Sequence, residues 1–222
     1  MPPPARLAPL LSIAALLAAC GVTGGPSAPD GGMSFFVTST GSGRGGNLGG
    51  LAGADAHCAR LAAAVGSTDR TWRAYLSTAP AAGSPPVHAR DRIGGGPWLN
   101  AVGDVIAGTV AELHGANNLN RATALTERGG AVPGLFDSPR RHAILTGSNP
   151  EGRALSGTED RSCGNWTSSD TGAAIFGHHD RQGPSGEPAA RSWNAAGITR
   201  GCSPQALAGS GSAGLFYCFA VR

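Results

Sequence analysis

The first clear run of apolar residues is MSFFVTST, residues 33–40, whose β-forming residues predict a strand. GADAHCARLAAAVG, residues 53–66, follows with the strongest helical period in the chain. Cys58, Leu61, Ala62 and Val65 recur at i, i+3, i+4 and i+7, so they share one face and Cys58 points into the core. Asp55 near the start and Gly66 at the end mark the limits of this helix. TWRAYLST (71–78) alternates instead, with Trp72, Ala74 and Leu76 on one side. A Pro/Ala loop then leads to a short hairpin over WLNAVGDVIAG, turning at Gly103-Asp104, and VAELHG predicts one or two helical turns. From Ala116 to Arg141 no period is present, which predicts a long loop. HAILTGS, CGNWTSS, AAIFGHH, RSWNAA and GLFYCFAVR are short strand-like pieces between Gly, Ser and Pro. In the last, Leu215, Tyr217 and Phe219 lie on one face, and Phe216, Cys218 and Ala220 on the other. One early helix followed by short strands and loops predicts a mixed α+β domain whose two ends meet.

The N-terminus is patterned differently. MPPPARLAPLLSIAALLAAC has one positive charge, Arg6, then an apolar run from Leu10 to Leu17. The run is too short to span a bilayer and has the length of a signal-peptide core. It ends in Leu17-Ala18-Ala19-Cys20, which resembles the bacterial lipobox and implies cleavage before Cys20 and its lipidation. Several acyl chains on one cysteine anchor far more firmly than one. GVTGGPSAPDGGM, residues 21–33, reads as a flexible tether. The expected organisation is a lipoprotein signal peptide with lipobox over 1–20, a tether over 21–33 and a single domain over 34–222. Such a protein is exported and lipid-anchored in the bacterial cell envelope, at the outer membrane or the periplasmic face. The anchor is its only expected contact with membrane.

Gly41, Gly43 and Gly46 spell G-x-G-x-x-G between the first strand and the helix. In a dinucleotide-binding turn the helix starts inside that motif, so that its amides face the pyrophosphate. Here Asn47-Leu48-Gly49-Gly50 intervenes, and an exported domain meets little nucleotide. The glycines are read as a tightly turning connection.

Composition narrows the class further. The chain has 36 glycines, 5% aromatic residues and 14% charged residues, which fits a loop-rich fold better than a helical bundle. Its 17 basic residues are all arginine and the net charge is +3, spread without a basic run, so nucleic acid is not an expected partner. Besides Cys20, Cys58, Cys163, Cys202 and Cys218 remain, an even number that in an exported chain favours two disulfides over a metal site or a reactive thiol. Spacing alone leaves three connectivities open.

Several stretches in order, GADAHCARLAAAVG, TWRAYLST, ARDRI, ILTGSNPEGRAL, CGNWTSS and GLFYCFAV, resemble the collagen-derived endostatin domain and its relatives in the C-type-lectin-like fold, including bacterial exported lectins. The likeness runs over nearly all of residues 35–222. It implies an endostatin-like, C-type-lectin-like fold in which the helix cysteine pairs with the last-strand cysteine and the middle two pair together: Cys58–Cys218 and Cys163–Cys202. The implied function is ligand binding without catalysis, with carbohydrate or envelope glycan as the expected ligand. A protein partner, or a structural envelope role with no small ligand, is the alternative.

Candidate chemistry is sparse. Calcium-dependent lectins of this fold carry Glu-Pro-Asn or Gln-Pro-Asp together with Trp-Asn-Asp, because calcium takes about six to eight oxygens. This chain has Trp193-Asn194-Ala195 and neither proline triplet, so the set is one carboxylate short. His178, His179 and Asp180 are possible zinc ligands by residue type, yet adjacent residues on a strand point to opposite faces. No cofactor is therefore expected, calcium or zinc being the alternatives. Trp193 and Asn194, with His178, His179 and Asp180, are the expected ligand-binding residues, and Trp166 is expected to pack on the Cys163 disulfide. Arg140-Arg141-His142 is a small basic cluster, a solvated turn by its residues, for which the resemblance to endostatins implies contact with an anionic glycan as the other reading. A carboxylate pair such as Glu159-Asp160 with Glu187 has the residue types for sugar cleavage, but nothing in the sequence brings them together.

Overall fold

A computed structural model describes Met1, residues 32–157 and residues 159–221. The expected signal peptide, its Cys20 and the tether up to residue 31 lie outside the described residues. Three small antiparallel sheets and four short helices make up a mixed α+β domain. Among the described residues no helix is long and apolar enough to cross a membrane.

The central sheet joins both ends of the domain. β8 (Tyr217–Val221) lies between β1 (Phe35–Val37) and β2 (Thr71–Ala74), antiparallel to each, with Phe36 opposite Cys218 and Trp72 opposite Ala220. Its alternation separates two cores. Tyr217 and Phe219 join Phe35, Tyr75, Trp98 and Trp193 on one side. Cys218 and Ala220 join Phe36, Trp72, Trp166 and both disulfides on the other. The two-sided pattern expected for residues 215–220 is thus present, and so is the Trp72-Ala74-Leu76 face. β3 (Trp98–Leu99) and β4 (Val105–Ala107) form the expected hairpin. α2 (Val110–Leu113) follows, capped by the Thr109 side chain, which accepts from the Glu112 N–H. β5 (Ala143–Leu145), β6 (Ile175–His178) and β7 (Gly197–Ile198) make the third sheet. Residues 116–141 form the long loop, with only isolated bridges at Val37–Thr126 and Leu125–Ala131.

α1 spans Gly50–Ala63, three residues earlier than its sequence pattern indicates, because Gly49 and Gly50 adopt positive φ and open it. Gly66 (φ 84) closes it: its N–H reaches the Ala63 carbonyl and the Ser67 N–H the Ala62 carbonyl. Asp55, expected to mark the start, lies in mid-helix on the buried face beside Cys58 and Ala62. It accepts from the Ala74 N–H at 2.8 Å, from Arg73 at 2.8 Å and from Arg92 Nη2 at 2.8 and 2.9 Å. A carboxylate buried there would otherwise be costly, and these donors offset its desolvation.

Cys58 is bonded to Cys218 and Cys163 to Cys202, the pairing that the resemblance implies. These bridges close separations of 160 and 39 residues, and bridges of this kind contribute roughly 2 to 5 kcal/mol. The glycine loop presses on the second one. A Cβ on Gly46 would stand 2.6 Å from Cys163 Sγ, and Gly45 (φ 59) lies against the backbone at Cys202 and Ser203. Of the G-x-G-x-x-G glycines, Gly46 thus packs on the disulfide, Gly41 against the Ala213–Gly214 backbone, and Gly43 takes a positive φ of 76°.

Three local expectations are corrected. CGNWTSS is no strand: α3 (Cys163–Trp166) is a tight turn with positive φ at all four residues, fixed by Asp160 accepting from the Ser162 and Gly164 N–H groups. RSWNAA is no strand either; it leaves a 3₁₀ turn at Ala189–Arg191 and runs on through bends. α4 (Pro204–Gly209) was not anticipated, although Ser203-Pro204 is a helix-start signal, and Ser203 does accept from the Ala206 N–H.

Replacing Asp55 by Ala would strand Arg92, whose side chain is only 12% exposed. Removing one partner of a buried pair costs roughly 3 to 5 kcal/mol. Urea unfolding of Asp55→Ala at pH 7 should show a loss of that size, and an unchanged midpoint would show the pair to be dispensable.

Candidate functional site

Trp193 and Asn194 floor a cavity of about 430 Å³ that is also lined by His114 and Arg181. Trp193 is 3% exposed, and its ring packs against Tyr75 (4.8 Å), Tyr217 (5.2 Å) and His114 (5.8 Å). The indole expected to stack on a sugar is instead part of the core. Asn194 is equally committed. Its Nδ2 reaches the Tyr75 hydroxyl at 3.0 Å and the carbonyls of Asn149 and Pro150 at 3.1 Å, and its Oδ1 accepts from Ser192 Oγ at 3.0 Å. His114 Nδ1 donates to the Val110 carbonyl, so Nε2 is the acceptor for the Tyr75 hydroxyl at 2.8 Å. Burial pushes the Tyr75 hydroxyl far up and the His114 imidazole down, keeping both neutral. Arg181 donates to the Leu119 carbonyl and to Asn117 Oδ1. The hydrogen-bonding groups around this cavity are already engaged by the protein.

His178 ends β6, and His179 and Asp180 follow in the turn after it, so the three side chains do not share one face. His179 is fully buried, with Nε2 3.3 Å from the Pro133 carbonyl. Asp180 accepts from the Leu135 N–H at 2.7 Å and the Gln182 N–H at 3.2 Å, and its Oδ1 lies 3.4 Å from His142 Nδ1. With Arg181 on Leu119, these residues fasten the 116–141 loop to the end of β6. His179 and Asp180, expected to meet a ligand, serve the frame. Burial drives the His179 imidazole down to about 4, against the pull of Asp180 and the Pro133 carbonyl. Burial raises the Asp180 carboxyl, but His142, the two N–H donors and His179 outweigh it and hold it at about 2.

His178 turns the other way. Its Nδ1 is 2.8 Å from the Ala190 carbonyl, and its ring stacks on His142, centroids 4.2 Å apart and planes 11° off parallel. The β5–β6 register, with Ala143 opposite His178, brings the two rings together. Both line a cavity of about 360 Å³ with Phe176, Leu135, Arg140 and Arg200. His178 is anchored through Nδ1, His142 Nδ1 lies 3.4 Å from Asp180 Oδ1 without a hydrogen-bond partner, and neither Nε2 has one among the described residues. Arg140 and Arg200 are exposed, with no carboxylate within 4 Å among the described residues. Burial lowers the His178 imidazole, with the charge of His142 adding to it and the Ala190 carbonyl opposing.

This cavity, not the Trp193 pocket, has unused hydrogen-bonding capacity. The sequence offered His178 and, separately, the Arg140-Arg141-His142 cluster, but not their meeting at one cavity, nor Arg200 and Phe176 beside them. Among the described residues no three His, Cys, Asp or Glu side chains are grouped to hold a metal ion. Glu159 is paired with Arg161, and Asp160 is used in capping the turn at 162–164. Trp98 and Trp166 are buried too, Trp166 in one core with the Cys163–Cys202 bridge. No protein-family model matches the chain, and no curated protein matches it.

The buried His179 makes stability fall on acidification. Its folded value lies below the unfolded 6.5, so between pH 6.5 and about 4 the unfolded chain binds a proton that the folded chain refuses. Stability is full above that window and drops through it by on the order of 3 kcal/mol. His57, His114 and His178, lowered as well, act in the same direction. Urea midpoints at pH 7 and 4.5 should differ by less in His179→Asn than in the parent; equal differences would contradict this account.

Proposed function

We propose that the chain is an exported, lipid-anchored protein with an endostatin-like, C-type-lectin-like domain that binds carbohydrate or envelope glycan and does no catalysis. Its site is the cavity walled by His142, His178, Phe176, Arg140 and Arg200. The reading draws support from the two disulfides, which join the cysteines that the resemblance pairs, and from the sheet in which the domain's two ends lie side by side. One observation carries the choice of site: two imidazole Nε2 atoms and two guanidinium groups at one cavity have no hydrogen-bond or ion-pair partner among the described residues. Polar groups with spare capacity around an apolar wall are what orient a small ligand. Hydroxyls suit the imidazoles, and Phe176, 8% exposed, gives the cavity an apolar edge. The anchor and tether would display this site away from the membrane surface. A second reading, a protein partner, draws on Phe136, which stands 82% exposed on the long loop beside Leu135.

The test is a glycan-array screen of the full chain, purified in detergent, with and without EDTA. Binding should survive EDTA and fall at least tenfold in His178→Gln. Absence of binding by a folded, disulfide-bonded sample would overturn the glycan reading in favour of a protein partner or a structural role.

A further inference from the structure

We infer that the cavity between the glycine loop and α1 binds a small phosphomonoester, its phosphate held between Arg44 and Arg60. This cavity shares no lining residue with the one walled by His142 and His178, so the inference stands apart from the glycan reading.

The placing of the two arginines carries the argument. The cavity is about 350 Å³, and Arg44 reaches it from the loop while Arg60 reaches it from the helix. Its lining contains no aspartate or glutamate. Neither arginine has a carboxylate within 4 Å among the described residues, whereas Arg70, Arg73, Arg92, Arg121, Arg128 and Arg161 each have one. Glu127 is close enough for its charge to act on His57, but its side chain is fully buried and accepts from the Ser39 N–H at 3.2 Å and Ser39 Oγ at 2.6 Å.

His57 orients one of the two guanidiniums. Its Nε2 donates to the Thr40 carbonyl at 2.8 Å, which leaves Nδ1 to accept from Arg60 Nη2 at 2.8 Å. Burial lowers this imidazole, opposed by the Thr40 carbonyl and reinforced by Arg60, so the ring stays an acceptor at neutral pH. The ring is also packed on Phe216, with centroids 5.5 Å apart. Arg60 is therefore aimed before a ligand arrives. Its other N–H groups, and the guanidinium of Arg44, have no hydrogen-bond partner among the described residues. The arginines' spare capacity is all donor, which suits a group that only accepts.

Charge and size narrow the ligand. A phosphomonoester carries close to two negative charges at neutral pH, because its second pKa is about 6. That matches two guanidiniums, whose forks can each take a pair of phosphate oxygens. A carboxylate or a sulfate ester brings one charge. About 350 Å³ lies at the lower end of ligand pockets, which run roughly 300 to 1,000 Å³, and leaves room for the organic part of an ester. Gly49, Gly53 and Ala56 keep that space clear of long side chains, above a base of Leu48 and Phe216. Gly53 is fixed by packing as well, since a Cβ there would stand 2.2 Å from the Leu48 carbonyl oxygen.

The test follows the Nε–Hε resonances of Arg44 and Arg60 in the full chain at pH 7.5 during titration. The probes are methyl phosphate, methyl sulfate, glycerol 3-phosphate, inorganic phosphate and dihexanoyl phosphatidic acid. Methyl phosphate should shift both arginines with a Kd at least tenfold below that of methyl sulfate. Glycerol 3-phosphate or the phosphatidic acid should bind at least tenfold more tightly than inorganic phosphate. The tighter of those two tells a soluble ester from a lipid headgroup. Arg44→Gln and Arg60→Gln, both at exposed positions, should each weaken binding at least tenfold, read on the arginine that remains. Equal affinity for methyl sulfate and methyl phosphate would overturn the choice of a dianion. Inorganic phosphate binding as tightly as the esters would reduce the cavity to a site for bare anions and overturn the inference. Resonances that no probe moves would overturn it outright, and none of these outcomes bears on the array screen.

Discussion

Everything in this domain is built around one strand that is buried on both sides. β8 hydrogen-bonds to β1 along one edge and to β2 along the other, and its alternate residues enter two separate cores. A strand in that position has no solvent face, so a slip of one residue would exchange the contents of the two cores. The register is pinned from outside the sheet as well, since Cys218 is bonded to Cys58 on α1. The third sheet hangs from the same segment, through the Leu145 N–H donating to the Leu215 carbonyl at 2.8 Å. The cavity beside β6 therefore has its position set by β8, two steps away.

Where the sequence was legible, local periodicity and burial agreed. The alternation in 215–220 survives because each face of β8 has its own apolar environment, and the Cys58–Ala62 stripe of α1 packs where its spacing directs it. Legibility failed where a distant polar group sets the backbone. CGNWTSS is a short piece among Gly, Ser and Thr with no period to decide it, and Asp160 bonds fold it into a turn while Asn165 ties it to the Ala79 backbone 86 residues away. Trp193 illustrates the same limit for the site. Its burial depends on Tyr75 and Tyr217, partners that no local window contains. The encounter of His142 with His178 is likewise created by the β5–β6 register.

The densest polar stretch, His178 to Arg181, divides its labour residue by residue. His179 and Asp180, in the turn after β6, point inward to hold the long loop, whereas His178 lines the cavity. A polar cluster is thus a poor guide to a binding site until its hydrogen bonds have been counted. Groups already partnered within the protein stabilise the loop, and the few left over are what a ligand can use.

The glycine loop seated on the Cys163–Cys202 bridge also bears on how the protein matures. Both sulfurs are shielded from solvent, with Gly46 resting directly on Cys163. Once that loop has docked, an oxidant or thiol carrier has no path to either cysteine. Oxidation must come before docking, while the chain is still open, and thereafter the same lid guards the bond against reductants for as long as the domain stays folded.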